Sequence, residues 1–207
     1  MSDGDGALGL LERRRSTLYL VASAGMVVFA VHTALRTTTG AAYPPVQQFV
    51  APAGFLIGLL GLLGLYRPLS ARAPWLTRVA LAVAAVSALD WAAIVVAGVL
   101  ETAGVIPENG TFGAITGVVA LFSMVLAYGL FGVASTRTGV YRQAVGGLLL
   151  LEAVTFLAMV ANSFASLGAP VIVFELGHLI AYLGLGVILR GEGDPNARAE
   201  RRTDATV

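Results

Sequence analysis

The chain contains no cysteine and no lysine, and only 12% of its 207 residues are charged. Without cysteine it has no disulfide framework, no iron–sulfur cluster and no thiolate nucleophile. Without lysine it cannot form a Schiff base, which excludes a retinal-type linkage. Soluble domains carry about 25% charged residues. Together with a mean hydropathy of +0.83, this low charge predicts a protein whose solvent and main partner is a lipid bilayer.

Six long apolar runs divide the sequence. They lie at about residues 17–37, 48–66, 77–100, 112–135, 143–165 and 170–189. An α-helix needs about 20 apolar residues to cross ~30 Å of hydrocarbon, and these runs approach that length. The predicted fold class is therefore all-α, an integral membrane bundle of six transmembrane helices within residues 16–190. Residues 1–15 are expected to be a cytoplasmic segment, and residues 191–207 a disordered cytoplasmic tail.

The arginines indicate which way round the bundle sits. Twelve of the thirteen fall in segments 13–15, 67–78, 137–142 and 190–202, and Arg36 is the exception. Cytoplasmic loops of membrane proteins retain basic residues. The pattern predicts a multi-pass protein of the cell membrane with both termini in the cytoplasm. Because no basic stripe with interleaved aromatic residues is present, nucleic acid is not an expected partner.

Ionisable side chains within the apolar runs are the candidate functional residues. Each costs about 2.5–3.5 kcal/mol at the centre of a bilayer by insertion scales, so each needs a reason to be there. The candidates, with two polar companions, are His32, Asp90, Glu152, Asn162, Glu175, His178 and Tyr182. At 1.5 Å per residue they lie in the middle and the outer half of the membrane. We expect them to line an outward-facing polar pocket that binds a small ligand or a proton.

Several pairings of these residues are open at this level. Glu175, His178 and Tyr182 share one helix face by their spacing, so the first two could hydrogen-bond each other. They could also ligate a single metal ion together with His32. If the two histidines lie on facing helices, they could be the two axial ligands of a haem. Overall, however, the sequence predicts no cofactor. Asp90 and Glu152 could instead face each other at the midplane and share a proton.

The sequence gives no sign of catalysis. Phosphate-binding glycine loops, His-Glu-x-x-His motifs and Gly-x-Ser-x-Gly elbows are all missing. The sequence therefore leaves open whether the protein is an enzyme, and it favours one that is not. The alternatives to a binding protein are a small proton-coupled permease, an accessory structural subunit of a membrane complex and, less favoured, a mononuclear metal-dependent membrane enzyme.

Two further motifs bear on partners. The glycines Gly54, Gly58 and Gly61 in the second run permit close helix contact, either within the chain or in a homo-oligomer. Asn109 begins a glycosylation sequon, which the predicted topology places outside the cell.

The LLERRRSTLYLVA start, the FVAPAGFLIGLLGLLGLY second run and the YGLFGVAS segment of the fourth resemble the small, uncharacterised polytopic membrane proteins of halophilic archaea. The resemblance covers most of the chain. It implies a multi-helix membrane protein and no particular activity.

The orientation can be tested with a reporter domain. A reporter fused after Val207 should lie on the cytoplasmic side, because the inverted topology would place twelve arginines outside. A second reporter inserted after Gly104 should be accessible from the exterior. Protease protection in sealed cells distinguishes the two positions, and a surface-exposed reporter after Val207 would contradict the predicted topology.

Overall fold

The computed structural model describes residues 3–40, 47–106 and 111–193, and the side chains of residues 6–40, 49–106 and 117–192. All regular structure in these residues is α-helical. The helices are α1 Asp3–Thr39, α2 Gln47–Leu63, α3 Tyr66–Ser70, α4 Pro74–Thr102, α5 Thr111–Thr138, α6 Gln143–Ala165 and α7 Val171–Gly193. The predicted Asn109 sequon and the tail from residue 194 onward lie outside the described residues.

Five helices of the described chain are long and apolar enough to cross a membrane. They are Gly6–Thr39, Pro74–Thr102, Gly117–Thr138, Gln143–Ala165 and Val171–Glu192. Helix α2 adds a shorter apolar segment, Phe49–Leu63. The prediction of a multi-pass helical membrane bundle is confirmed at this level.

The six long helices form a closed ring in chain order. Each packs against the helix before it and the helix after it, and α7 packs against α1. Neighbours run in opposite directions. Where α5 meets α6, for example, Gly132 lies opposite Leu150 and Gly146 lies opposite Thr136. The short helix α3 contacts mainly α4. The ring therefore encloses one interior that all six long helices share.

The helix faces explain why this interior is polar in places while the exterior is apolar. On α6 the buried face repeats every three or four residues, as one side of an α-helix must. Its larger members are Val145, Leu149, Glu152, Phe156 and Val160. Leucines and valines such as Leu89, Val96, Val154 and Val187 are exposed on the outside of the ring. Lipid can therefore cover the apolar exterior, and Glu152, Glu175 and His178 are hidden from it.

The glycines of α2 bring neighbouring helices close together within the chain. A Cβ on Gly54 would lie 2.6 Å from the Met26 Cε, and one on Gly58 would lie 2.7 Å from the Tyr182 ring. A Cβ on Gly61 would lie 3.1 Å from the ring of Tyr19. At these three positions the close contacts are therefore with side chains of the same chain, and self-association through this face stays a prediction.

The first helix starts earlier than the sequence predicted. It begins at Asp3 rather than near residue 17. Its first turns pack on the end of α2 and on α3, since a Cβ on Gly64 would lie only 2.6 Å from the carbonyl oxygen of Leu11 and the Arg67 guanidinium approaches Gly9. The predicted N-terminal segment is thus an extension of α1.

The arginine-bearing segments gather at one end of the bundle, called here the arginine end. Arg15 Nη1 donates to the Tyr141 hydroxyl at 3.3 Å. The backbone N–H of Arg142 donates to the Glu192 carboxylate at 3.0 Å. These contacts join the start of α1, the connection between α5 and α6 and the end of α7. The described chain therefore begins and ends on the same side of the bundle.

Adjacent glycines of α6 provide a test of the ring packing. A Cβ on Gly146 would lie 2.5 Å from Thr136 Cγ2 and 3.1 Å from the Thr136 backbone nitrogen, whereas a Cβ on Gly147 meets nothing within 4 Å. Gly146→Ala should therefore destabilise the protein by about 1–3 kcal/mol through overpacking. Gly147→Ala should be neutral or stabilising by up to about 1 kcal/mol. Thermal unfolding in detergent measures both, and equal stability of the two variants would contradict the α5–α6 packing.

Candidate functional site

A hydrogen-bonded glutamate and histidine lie in the interior of the ring. His178 Nδ1 on α7 is 2.9 Å from Glu152 Oε1 on α6. The exposed fraction of Glu152 is 0% and that of His178 is 1%, so neither group meets lipid or water at the surface. The two side chains face inward because α6 and α7 are adjacent and each places these positions on its buried face. The Glu152–His178 pair is the centre of the candidate site.

Aromatic rings enclose the imidazole. The ring centroid of His178 is 4.3 Å from that of Phe156 and 5.2 Å from that of Phe55. Phe55 in turn stacks at 4.8 Å against Trp91. Helices α2, α4 and α6 each contribute one of these rings. The rings fix the orientation of the imidazole and separate the pair from lipid.

A second buried carboxylate lies one turn from His178 on α7. Glu175 Oε1 accepts a hydrogen bond of 2.6 Å from the Thr33 hydroxyl on α1. Glu175 is also close enough to His178 for their charges to interact. The predicted hydrogen bond between Glu175 and His178 is wrong, because each residue bonds to a different neighbouring helix.

Three tyrosines are packed together on the other side of the pair. Tyr19, Tyr128 and Tyr182 are fully buried. The Tyr128 hydroxyl donates to the Tyr182 hydroxyl at 3.3 Å, and the Tyr19 and Tyr182 ring centroids are 5.9 Å apart. The three tyrosines form a hydroxyl-bearing layer between the Glu152–His178 pair and the arginine end, called here the tyrosine layer.

Several buried polar atoms of this region have no hydrogen-bonding partner among the described residues. They include Glu152 Oε2, His178 Nε2, Glu175 Oε2, Asp90 Oδ2, Trp91 Nε1 and the hydroxyls of Ser87 and Tyr19. Buried polar atoms are normally bonded, and each exception is costly. Because such atoms call for an explanation, their presence near the Glu152–His178 pair makes this region the candidate site.

The sequence-predicted candidates divide into two groups. Glu152, Glu175, His178 and Tyr182 lie together in the interior. Asp90 is only partly buried, and its predicted partner Glu152 bonds to His178 instead. Asp90 lies one residue from Trp91, which contacts the aromatic enclosure.

His32 and Asn162 have other roles. His32 Nδ1 lies 2.9 Å from the carbonyl oxygen of Val28 on its own helix, and its side chain is partly exposed. The Asn162 amide closes the turn after α6, accepting from the backbone N–H of Ala169 at 2.9 Å and donating to its carbonyl oxygen at 3.3 Å. Both residues are therefore removed from the predicted pocket lining.

The predicted metal ligands do not converge. Within the described residues no three histidine, aspartate or glutamate side chains are grouped as a ligand set. His32, Glu175 and His178 in particular each have a separate neighbour. The metal site that the sequence left open is thus not formed by these three residues.

Three functional candidates were missing from the sequence-based set, and one of them, Tyr19, packs against Tyr182. Thr33 bonds to Glu175, and Tyr128 bonds to Tyr182. Thr33 follows His32 directly, and the 100° step between successive helical residues places it, rather than the histidine, on the inward face. In the sequence, Tyr128 differs from its neighbours only in having a phenol hydroxyl within an apolar run.

Comparisons with protein-family models, with curated proteins and with solved structures found no match to this chain.

A double-mutant cycle tests the Glu152–His178 bond. Glu152→Leu and His178→Phe should each cost about 3–5 kcal/mol, because each leaves a buried polar partner uncompensated. The double variant should cost less than the sum of the two, with a coupling of about 0.5–3 kcal/mol. His32→Phe is the matched control and should change stability by less than about 0.5 kcal/mol. Detergent-based unfolding gives all four values, and strict additivity would contradict a direct bond.

Proposed function

We propose that the protein is a six-crossing membrane protein with both termini in the cytoplasm, and that the Glu152–His178 pair is its proton-binding centre. Two structural features support the topology. The ring runs through six antiparallel helices and returns to the end where it started. The arginine segments meet at that same end, which the distribution of basic residues favours as the cytoplasmic side.

Helix α2 is the shortest of the proposed crossings. Its 17 residues extend about 25 Å at 1.5 Å per residue, compared with ~30 Å of hydrocarbon. A short helix in a ring of longer ones is accommodated by local thinning of the bilayer or by the packing of its neighbours. Contacts with α1 and α4 on its two sides support its place as a crossing.

The chemistry of the pair supports proton binding. An imidazole and a carboxylate 2.9 Å apart can share one proton and take up a second, and the unbonded His178 Nε2 and Glu152 Oε2 offer further proton positions. In the one-proton state the pair is neutral overall, which suits a buried place within lipid. One observation carries the proposal: two titratable groups are bonded to each other at nearly zero exposure.

The burial also favours a proton over a small organic ligand. Ligand pockets in proteins have volumes of about 300–1,000 Å³. A crevice of about 600 Å³ lies at the arginine end, lined by residues such as Glu12, Arg15, Tyr141 and Glu192. It is remote from the pair. The proposal replaces the outward-facing pocket expected from the sequence with a closed site that a proton can reach.

A second candidate function is that of an accessory structural subunit. It is favoured by the fact that the buried polar bonds also link helices, α1 to α7 through Thr33 and Glu175 and α6 to α7 through Glu152 and His178. In that case the polar residues would hold the bundle together and would not exchange protons.

Histidine NMR can distinguish the two, because the chain has only two histidines. In protein labelled with ¹⁵N-histidine and reconstituted in lipid, the two ring signals are assigned with the variant His32→Asn. The His178 signals should change with pH, and Glu152→Gln should alter that titration because it removes the proton-sharing carboxylate. The His32 signals should titrate alike with and without Glu152→Gln.

His178 signals that stay constant across the pH range in which the protein remains folded would contradict proton binding and favour the structural candidate. The same conclusion would follow if Glu152→Gln left the His178 titration unchanged.

A further inference from the structure

The tyrosine layer connects the Glu152–His178 pair with the arginine end. Tyr182 lies one turn from His178 on α7, and His178 is hydrogen-bonded to Glu152 at 2.9 Å. The second Glu152 oxygen, Oε2, is buried and has no hydrogen-bonding partner among the described residues. The hydroxyls of Tyr128 and Tyr182 are 3.3 Å apart. A movement of the Tyr182 ring toward Glu152 would continue the chain of hydroxyls to the carboxylate.

Tyr19 extends the layer toward the arginine end. Its ring contacts that of Tyr182, and its hydroxyl is buried without a bonding partner among the described residues. Arg15 lies one turn before Tyr19 on α1. From Thr33, the partner of Glu175, to Arg15 the helix α1 rises about 27 Å. The polar groups thus extend over nearly the thickness of a bilayer core.

These polar groups reach the crevice at the arginine end through Arg15, which lines that crevice. Arg15 lies 3.3 Å from the Tyr141 hydroxyl and 3.9 Å from the Glu12 carboxylate. Burial raises the pKa of Tyr141 above its ordinary value, and the nearby guanidinium opposes this rise only in part. Tyr141 therefore stays a neutral phenol at physiological pH. The crevice itself is lined in part by Glu12 and Glu192, which can accept protons from the solution.

We propose that Tyr182, Tyr128 and Tyr19 carry protons between the arginine end and Glu152, which makes the protein a proton-conducting one. This inference rests on the proposed proton-binding function of Glu152 and His178. It assigns the tyrosines to the transfer path and the solution at the arginine end as the source of the proton.

The transfer balances without any further reactant. The hydroxyl proton of Tyr182 moves to a Glu152 oxygen, and the hydroxyl proton of Tyr128 moves to the Tyr182 oxygen. Tyr128 regains a proton from Tyr19, which is reprotonated from the solution at the arginine end. Each O–H bond that breaks is matched by one that forms, and one proton moves to Glu152.

The surroundings of the path contain few competing charges. The titratable groups that face it or the pair from the packed helices are Arg15, Tyr19, Asp90, Tyr128, Glu152, Glu175, His178 and Tyr182. Helix α2 has no titratable residue at all. Instead it contributes the buried Leu59 and Leu62, and α5 contributes Phe131. These apolar side chains belong to the same buried cluster as the tyrosines, and the tyrosine hydroxyls offer a polar route through it.

Proton flux into liposomes tests the path. Purified full-length protein is reconstituted with a trapped pH-sensitive dye, and a potassium gradient with valinomycin supplies the driving potential. The wild type should conduct protons. Tyr182→Phe and Tyr128→Phe remove only the hydroxyls and should slow the flux by at least about tenfold, as loss of a proton-transfer group does. Tyr66→Phe, which changes a tyrosine of α3 outside the layer, should conduct like the wild type.

Gly58→Ala tests the geometry with all the hydroxyls retained. A Cβ at this position would lie 2.8 Å from the Tyr182 hydroxyl and 3.0 Å from the Tyr128 hydroxyl, so both must move. This variant should also conduct more slowly than the wild type. Gly184→Ala is its matched control, since its Cβ would meet the side chain of Leu148 at 2.8 Å, away from the tyrosines.

The outcomes separate the path from the binding site. A wild type that does not conduct, while His178 still titrates in a Glu152-dependent way, would overturn the path and leave the proton-binding proposal standing. Unchanged flux in folded Tyr182→Phe and Tyr128→Phe would overturn it equally. Should Tyr182→Phe fail to fold, Tyr128→Phe and Gly58→Ala decide. If His178 does not titrate, the proton-binding proposal itself is wrong.

Discussion

The hydrogen bond between Glu152 and His178 is the interaction on which the rest of the structure depends. An isolated carboxylate or imidazolium within lipid is costly, so both groups must point into the ring and must meet there. Their separation of 2.9 Å at almost no exposure requires α6 and α7 to lie side by side with a defined rotation. The aromatic rings of Phe55 and Phe156 close the space around the imidazole. The closed order of helices follows from the need to surround this pair.

The ring of helices is closely packed on its inside and exposes apolar side chains on its outside. Without a hydrophobic driving force between helices in lipid, association depends on packing and on interhelical hydrogen bonds. Gly58 lets the tyrosine layer approach α2, while Thr33 holds Glu175 against α1. The polar atoms left unbonded near the pair are tolerated because the surrounding packing holds them in place. A region that is tightly enclosed and yet incompletely hydrogen-bonded is suited to moving protons and poorly suited to admitting a large ligand.

Hydropathy and arginine placement were enough to predict the helical class, the approximate positions of the helices and the meeting of the arginine segments at one end. The residue pairs could not be predicted in this way, because spacing along one helix says nothing about the rotation of its neighbours. Glu175 and His178 share a face of α7, yet they bond to α1 and α6 respectively. His32 was chosen for its chemistry, but the adjacent Thr33 faces the interior. The polar side chain of Asn162 has a local role, because it accepts a hydrogen bond from the backbone N–H of Ala169 and so closes the turn after α6.

The most direct measurement is the dipolar coupling between His178 Nδ1 and the Glu152 carboxyl carbon in lipid-reconstituted protein labelled with ¹⁵N-histidine and ¹³C-glutamate. The chain has few of either residue, and Glu152→Gln identifies the signal. A coupling that agrees with a nitrogen–oxygen separation of 2.9 Å, and that is lost in Glu152→Gln, is the predicted result. If His178 shows no coupling to Glu152, or couples instead to the Glu175 carboxyl, then the centre of the ring is arranged differently and the proton-binding proposal fails.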